Sequence, residues 1–278
     1  MVKVGNYNTL TVLREVPMGV CLDDGGDGIL LPTRFVPPGT KVGQKVRVFV
    51  HHDSEDRLIA TTQQAKGRVG DFVKLQVVST TGHGAFLDNG LMKDLFVPRS
   101  KMRGDMRPGT WHLVYIYLDE RTGRMAATEK FDHLLANDML SVKELDQVDL
   151  TTYRQTNLGW EMIIDNRHIG LLHHNEVYRP MQVGDRFKGF IKKIYPETNK
   201  IDVAAGRPGY KRVEDELEKI LRLLAENKGH LPYNDKSDPD AIYNFFAMSK
   251  KTFKMAIGSL YKQRKISLEE GGIRLVQE

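Results

Sequence analysis

The chain has 278 residues, a net charge of +5 and an isoelectric point near 9.1, with 40% hydrophobic and 28% charged residues. Such a chain is expected to be globular and divided into two to four small domains, neither disordered nor one small barrel. No apolar run approaches the roughly 20 residues of a membrane span, no secretory signal is read near Met1, and the single Cys21 excludes an intramolecular disulfide and a cysteine-rich metal centre; a cytoplasmic address is expected.

The positive charge is unevenly spread. Residues 65–137 and 207–278 each carry +3, residues 1–64 are neutral and 138–206 carry −1. A basic surplus concentrated in two segments points towards nucleic acid, weakly by itself.

In chain order, residues 1–206 read as one unit repeated three times, over 1–64, 65–137 and 138–206. Each unit ends in two β-rich runs around a polar turn, a hairpin signature: Val48–Thr61, Val114–Thr128 and Gly189–Ala204. A basic residue, Arg57, Arg124 or Lys200, opens the second run each time, at spacings of 67 and 76 residues. Mid-unit, a short apolar strand stops at a turn residue in Gly28-Ile29-Leu30-Leu31-Pro32, Asp94-Leu95-Phe96-Val97-Pro98 and Gly170-Leu171-Leu172-His173-His174. Alternation in Val73–Val77 marks a half-buried strand. Five short strands per unit predict a closed OB-like barrel.

After Pro208 the period changes from 2 to 3.6. Val213, Leu217, Ile220, Leu221 and Leu224 form the apolar stripe of a first helix. Asp238-Pro239 reads as N-cap and first position of a second, burying Ile242, Phe245 and Phe246. Ser249 caps a third with Phe253, Ala256, Ile257 and Leu260 inward, and residues 265–276 form a two-stranded hairpin around Gly271-Gly272. Three helices and a β-wing predict a winged helix over 207–278. The whole is therefore mainly β with an α+β C-terminal domain, three tandem five-stranded OB-fold barrels preceding a winged helix.

The second unit resembles the S1 RNA-binding motif in Val69-Gly70-Asp71-Phe72-Val73, His83-Gly84-Ala85-Phe86, Asp94–Pro98, and Asp119 with Arg124. The first and third units keep parts of it: Met18-Gly19-Val20-Cys21 with Asp53 and Arg57, and Leu158-Gly159-Trp160, Gly170–His173 and Lys200. Over nearly its full length the chain resembles the conserved virulence factor B family of bacterial RNA-binding regulators. The resemblance implies RNA binding and an effect on gene expression, with no catalytic centre; single-stranded RNA is the expected partner, and no cofactor is expected.

Stacking faces and backbone-tracking cations are what such binding needs. The two aromatic positions are Met18 and Cys21 in the first unit, His83 and Phe86 in the second, Leu158 and Glu161 in the third, so the second is the expected binder. His83 and Phe86 are either a stacking pair or a turn residue and a core residue. Asp119 and Arg124 either pair across their hairpin or contact RNA, Arg124 before Asp119. Lys93, Arg99, Lys101, Arg103 and Arg107 form a basic stretch expected in a long loop against phosphate. His173 and Lys200 are the corresponding candidates in the third unit, where Trp160 is expected in the core. Lys251, Lys254 and Lys262 share one face of the third C-terminal helix, where a recognition helix meets a groove. His51-His52 and His173-His174 suggest metal, but adjacent strand residues point to opposite faces and cannot clamp one ion. The rival readings are a DNA-binding regulator led by the winged helix and a ribosome- or protein-associated scaffold. An RNA enzyme would need carboxylates or a His–Lys–Asp set gathered in one pocket, and the acidic residues are scattered over turns. No membrane and no small-molecule substrate are expected.

Overall fold

The computed structural model describes residues 2–177, 180–206 and 210–276, side chains of 210–215 excepted. Val213 and Pro208, used above to begin the C-terminal domain, fall outside these described side chains and residues respectively.

The first barrel is built from β1 (Asn6–Val16), β2 (Gly19–Leu22), β3 (Ile29–Pro32), β4 (Lys45–His52) and β5 (Leu58–Thr61), closed in the order β1-β2-β3-β5-β4. The second repeats that order with β6 (Phe72–Thr81), β7 (Gly84–Leu87), β8 (Leu95–Pro98), β9 (Trp111–Leu118) and β10 (Met125–Thr128). The third does so with β11 (Gln147–Gln155), β12 (Gly159–Ile164), β13 (His168–His173), β14 (Arg186–Tyr195) and β15 (Lys200–Ala204). The expected OB-like barrels are present.

Closure comes from the long first strand of each barrel. One part of β1 pairs with β4 and another with β2, and the register slips between Val12 and Arg14. The same slip falls between Val77 and Ser79 in β6 and between Thr152 and Arg154 in β11. A bulge bends and coils a strand, which lets it serve both sides of the barrel. The interior of each barrel is its own apolar cluster: Val12, Leu22, Leu31 and Val48 in the first; Leu75, Leu87, Val97 and Ile116 in the second; Leu150, Ile164, Leu172 and Ile191 in the third. Trp160 packs against the third cluster, as expected.

The C-terminal domain contains α1 (Tyr210–Glu226), β16 (His230–Leu231), α2 (Pro239–Phe246), α3 (Lys250–Lys262), β17 (Ile266–Glu269) and β18 (Gly272–Leu275). Both predicted caps form. The Asp238 side chain accepts from the N–H groups of Asp240 and Ala241, and Ser249 accepts from that of Thr252, each worth about 1 kcal/mol. Two details differ from expectation. The wing has a third short strand, β16, paired with β18; two residues are too few to show a period. Phe245 is 38% exposed, with its ring 4.9 Å from Tyr233, and only Ile242 and Phe246 of α2 are buried.

The chain clusters into two compact units, residues 1–136 with 183–185, and 137–182 with 186–278. The first two barrels thus belong to one unit.

Candidate nucleic-acid interface

Strand pairing decides which side chains share a surface. Across β7 and β8 the register sets Phe86 opposite Phe96, and β10 brings Ala126 beside Phe96. Leu95 and Val97 point into the barrel and are buried, so Phe96 between them points out. The two phenylalanine rings are half-buried, their centroids 5.1 Å apart. The same row in the first barrel is Cys21, Leu30 and Ile59, and in the third Glu161, Leu171 and Asp202. Only the second barrel has aromatic rings in this row.

This pair lies in a groove of about 660 Å³. The second barrel lines it with His83, Phe86, Phe96, Lys93, Asp94, Asp119 and Arg124, among others, and the first barrel adds His51 and His52. His83 is exposed at the turn between β6 and β7. The equivalent Met18 and Leu158 are 69% and 66% exposed, so all three tips face outward.

The two alternatives for Asp119 and Arg124 resolve into a third arrangement. Asp119 accepts from the backbone N–H and the hydroxyl of Thr122, at 3.0 and 2.9 Å, and so holds its own turn. Those bonds keep its carboxyl below the usual carboxylate range. Arg124 pairs instead with Asp56 on the hairpin turn of the first barrel. Lys93 donates to the backbone carbonyl of Asp53 in that turn, at 2.7 Å. In the first barrel Asp53 and Arg57 do pair, at 2.9 and 3.0 Å.

The basic stretch beyond Lys93 is interrupted by β8 and a single 3₁₀ turn over Arg99–Lys101, so it is not one long loop. Arg99, Arg103 and Arg107 line a second hollow of about 390 Å³, and Thr81 lines both this hollow and the groove. Arg103 is held by Asp132 and by the Glu129 carbonyl, the latter at 2.9 Å. Lys101 is exposed on the 3₁₀ turn.

In the third barrel, His173 lies 3.1 Å from Asp202, which also accepts from the Tyr195 hydroxyl at 3.0 Å. Lys200 is exposed at the start of β15. On α3, Lys251, Lys254 and Lys262 are all exposed, with Lys254 3.6 Å from Asp235. Phe253, Ala256, Ile257 and Leu260 are buried on the other face. Among the described residues no group of three or more His, Cys, Asp or Glu side chains is arranged to hold a metal ion.

Sequence reasoning did not single out Phe96, Asp94, His51 or His52 as interface residues. Leu95-Phe96-Val97 is apolar throughout, and such a run does not say which residue faces out. The His51-His52 contribution depends on the packing of two barrels.

Barrel row, groove and wing define a class: proteins that join S1 domains to a winged helix. Residues 4–63 and 69–130 match the S1 domain family model, and residues 218–275 match that of the CvfB-like winged helix domain. The resemblance to conserved virulence factor B proteins holds over most of the chain. The Bacillus subtilis (strain 168) protein YitL is 28% identical over 277 residues, covering 96% of this chain and 92% of that one. Conserved virulence factor B of Staphylococcus aureus (strain USA300) is 26% identical over 246 residues, 86% and 81% of the two chains. A solved Streptococcus pneumoniae TIGR4 structure, described as a multidomain protein with nucleic acid binding domains, is 21% identical with a TM-score of 0.42, covering 98% of each chain. The S1 matches support nucleic-acid binding. No helix among the described residues is long and apolar enough to cross a membrane.

Proposed function

We propose that this protein binds single-stranded RNA with weak sequence specificity and regulates gene expression after transcription, in the cytoplasm and without catalysing a reaction. The observation that carries the reading is the Phe86–Phe96 pair, two half-exposed rings in a groove edged by Lys93, Arg121 and Arg124. Unpaired bases stack on such rings whatever their identity, while nearby cations follow the backbone. Arg99, Arg103 and Arg107 in the adjoining hollow extend the cationic path. The name shared by relatives, conserved virulence factor B, supports a regulatory role.

The test is a titration of the full chain with labelled single-stranded RNA and matched duplex DNA at two salt concentrations. RNA is expected to bind more tightly, to remain intact, and to lose about 1–3 kcal/mol of binding for each of Phe86→Ala and Phe96→Ala. Unchanged affinity in folded variants sinks the stacking model, and cleavage of the RNA sinks the non-enzymatic part. Preference for the duplex would transfer the function to α3, whose exposed lysines keep a DNA-binding regulator as the second reading. No binding to either would favour a ribosomal or protein partner.

A further inference from the structure

The groove contains one acid with no protein partner among the described residues. Asp94 stands just ahead of β8, is half-buried, and lines the groove with Phe86, Phe96 and His52. Its neighbours are engaged: Asp53 by Arg57, Asp56 by Arg124, Asp88 by Lys66 at 2.6 Å, and Asp119 by Thr122. Asp94 accepts no hydrogen bond and has no ion-pair partner among the described residues, and the adjacent Lys93 sends its ammonium to the Asp53 carbonyl. Burial, and then the Asp88 carboxylate, push its carboxyl above the usual range.

Barrel closure does not require an acid there. Aligned by the strand row, Asp94 corresponds to Gly28 in the first barrel and Ile169 in the third. A half-buried carboxylate with no protein donor among the described residues keeps both oxygens open to a ligand that brings donors.

We propose that the groove takes a guanine base, stacked on the Phe86–Phe96 pair, with Asp94 accepting hydrogen bonds from the guanine N1–H and 2-amino group. This rests on the RNA-binding reading above and adds one preferred position to it. An ionised carboxylate offers two acceptor oxygens and no donor. An unpaired base in single-stranded RNA leaves its Watson–Crick edge free to be read. Guanine presents two adjacent donors on that edge, enough to occupy both oxygens. Adenine and cytosine present one amino group beside an acceptor nitrogen, and uracil one N–H between two carbonyls. Each of these turns an acceptor towards the carboxylate. The volume, about 660 Å³, is within the range of roughly 300–1,000 Å³ usual for small-ligand sites.

The experiment measures fluorescence anisotropy of the full chain, at one fixed salt concentration, with labelled heptamers UUUGUUU, UUUAUUU, UUUCUUU and UUUUUUU. An inosine-centred heptamer, which lacks the 2-amino group, is included. The guanine heptamer is expected to bind about tenfold more tightly than the other standard three, as a paired base-edge contact provides, with inosine in between. Asp94→Asn and Asp94→Ala, each checked for an unchanged unfolding transition, should reduce the guanine preference to within about twofold. Should one variant fail to fold, the other decides. Equal binding of all heptamers by the wild-type protein, or a guanine preference surviving in a folded variant, overturns the proposal. If UUUUUUU still binds and Phe86→Ala weakens it, the RNA reading survives that failure; if no heptamer binds, both fall.

Discussion

Cys21, Phe86 and Glu161 hold the same place in three copies of one barrel, and they give the row three different chemistries. Cys21 is a packed thiol, Phe86 shows a ring face, and Glu161 is ion-paired with Arg154. The motif sufficed to place Phe86 on the strand just after its turn, because a position after a turn glycine is a local property. Asp56 as the partner of Arg124 was illegible, since the two are 68 positions apart and meet only when the barrels pack. His51 shows what such packing does to a titratable group. It is buried, with Nδ1 3.0 Å from the His52 carbonyl, and burial holds its pKa below the ordinary 6.5. His52 is shifted the same way, by burial and then by Lys93 and Arg124. The unfolded chain takes up these protons near pH 6.5 while the folded one resists, so it binds more protons below that pH. Their contribution is complete above about pH 6.5 and declines as the pH falls towards the folded values. Chemical denaturation at pH 7.5 and 5.0 should show a smaller loss of stability in the His51→Gln, His52→Gln double variant than in wild type. An equal loss would show that other groups set the acid sensitivity.

At the scale of elements, the repeated dipeptides Met18-Gly19, His83-Gly84 and Leu158-Gly159 have a steric cause. A Cβ on Gly19, Gly84 or Gly159 would lie 2.0, 2.1 or 2.0 Å from a carbonyl oxygen of the facing strand, that of Leu31, Val97 or Leu172. No side chain fits, so the glycine is required wherever the second strand turns in against the third. Gly84→Ala should therefore destabilise the second barrel by about 2–3 kcal/mol, measured as a lower denaturation midpoint; a loss below about 0.5 kcal/mol, the size of an ordinary surface change, would contradict this. On α3 the periodicity separated core from surface correctly, because a helix that buries Phe253, Ile257 and Leu260 must turn Lys251, Lys254 and Lys262 outward. If these lysines touch phosphates, replacing all three by Gln should flatten the dependence of log K on log salt by roughly 2 for single strands. An identical slope removes α3 from the interface. Phe245 marks the limit of the same method: an eight-residue helix is too short for its stripe to be placed to within one residue.

The whole molecule is a series of separate cores. Each barrel buries its own cluster, and the C-terminal domain buries another around Ile220, Phe246, Phe253 and Leu260. Cores that share few residues unfold with limited cooperativity. Calorimetry of the full chain should resolve more than one transition, with a van't Hoff enthalpy below the calorimetric one. A single transition with equal enthalpies would show that the domain contacts couple the cores completely.

By itself the sequence determined the number and kind of domains, their order, the helix caps and the barrel carrying the aromatic pair, because periodicity, turn glycines and capping residues act over a few neighbouring positions. Tertiary structure alone decided that Phe96 faces Phe86, that Asp56 engages Arg124, that His51 and His52 join the groove, and that Asp94 has no protein donor among the described residues. These depend on strand register and barrel packing, where contacts between residues distant in the chain are set by the joint fit of many side chains.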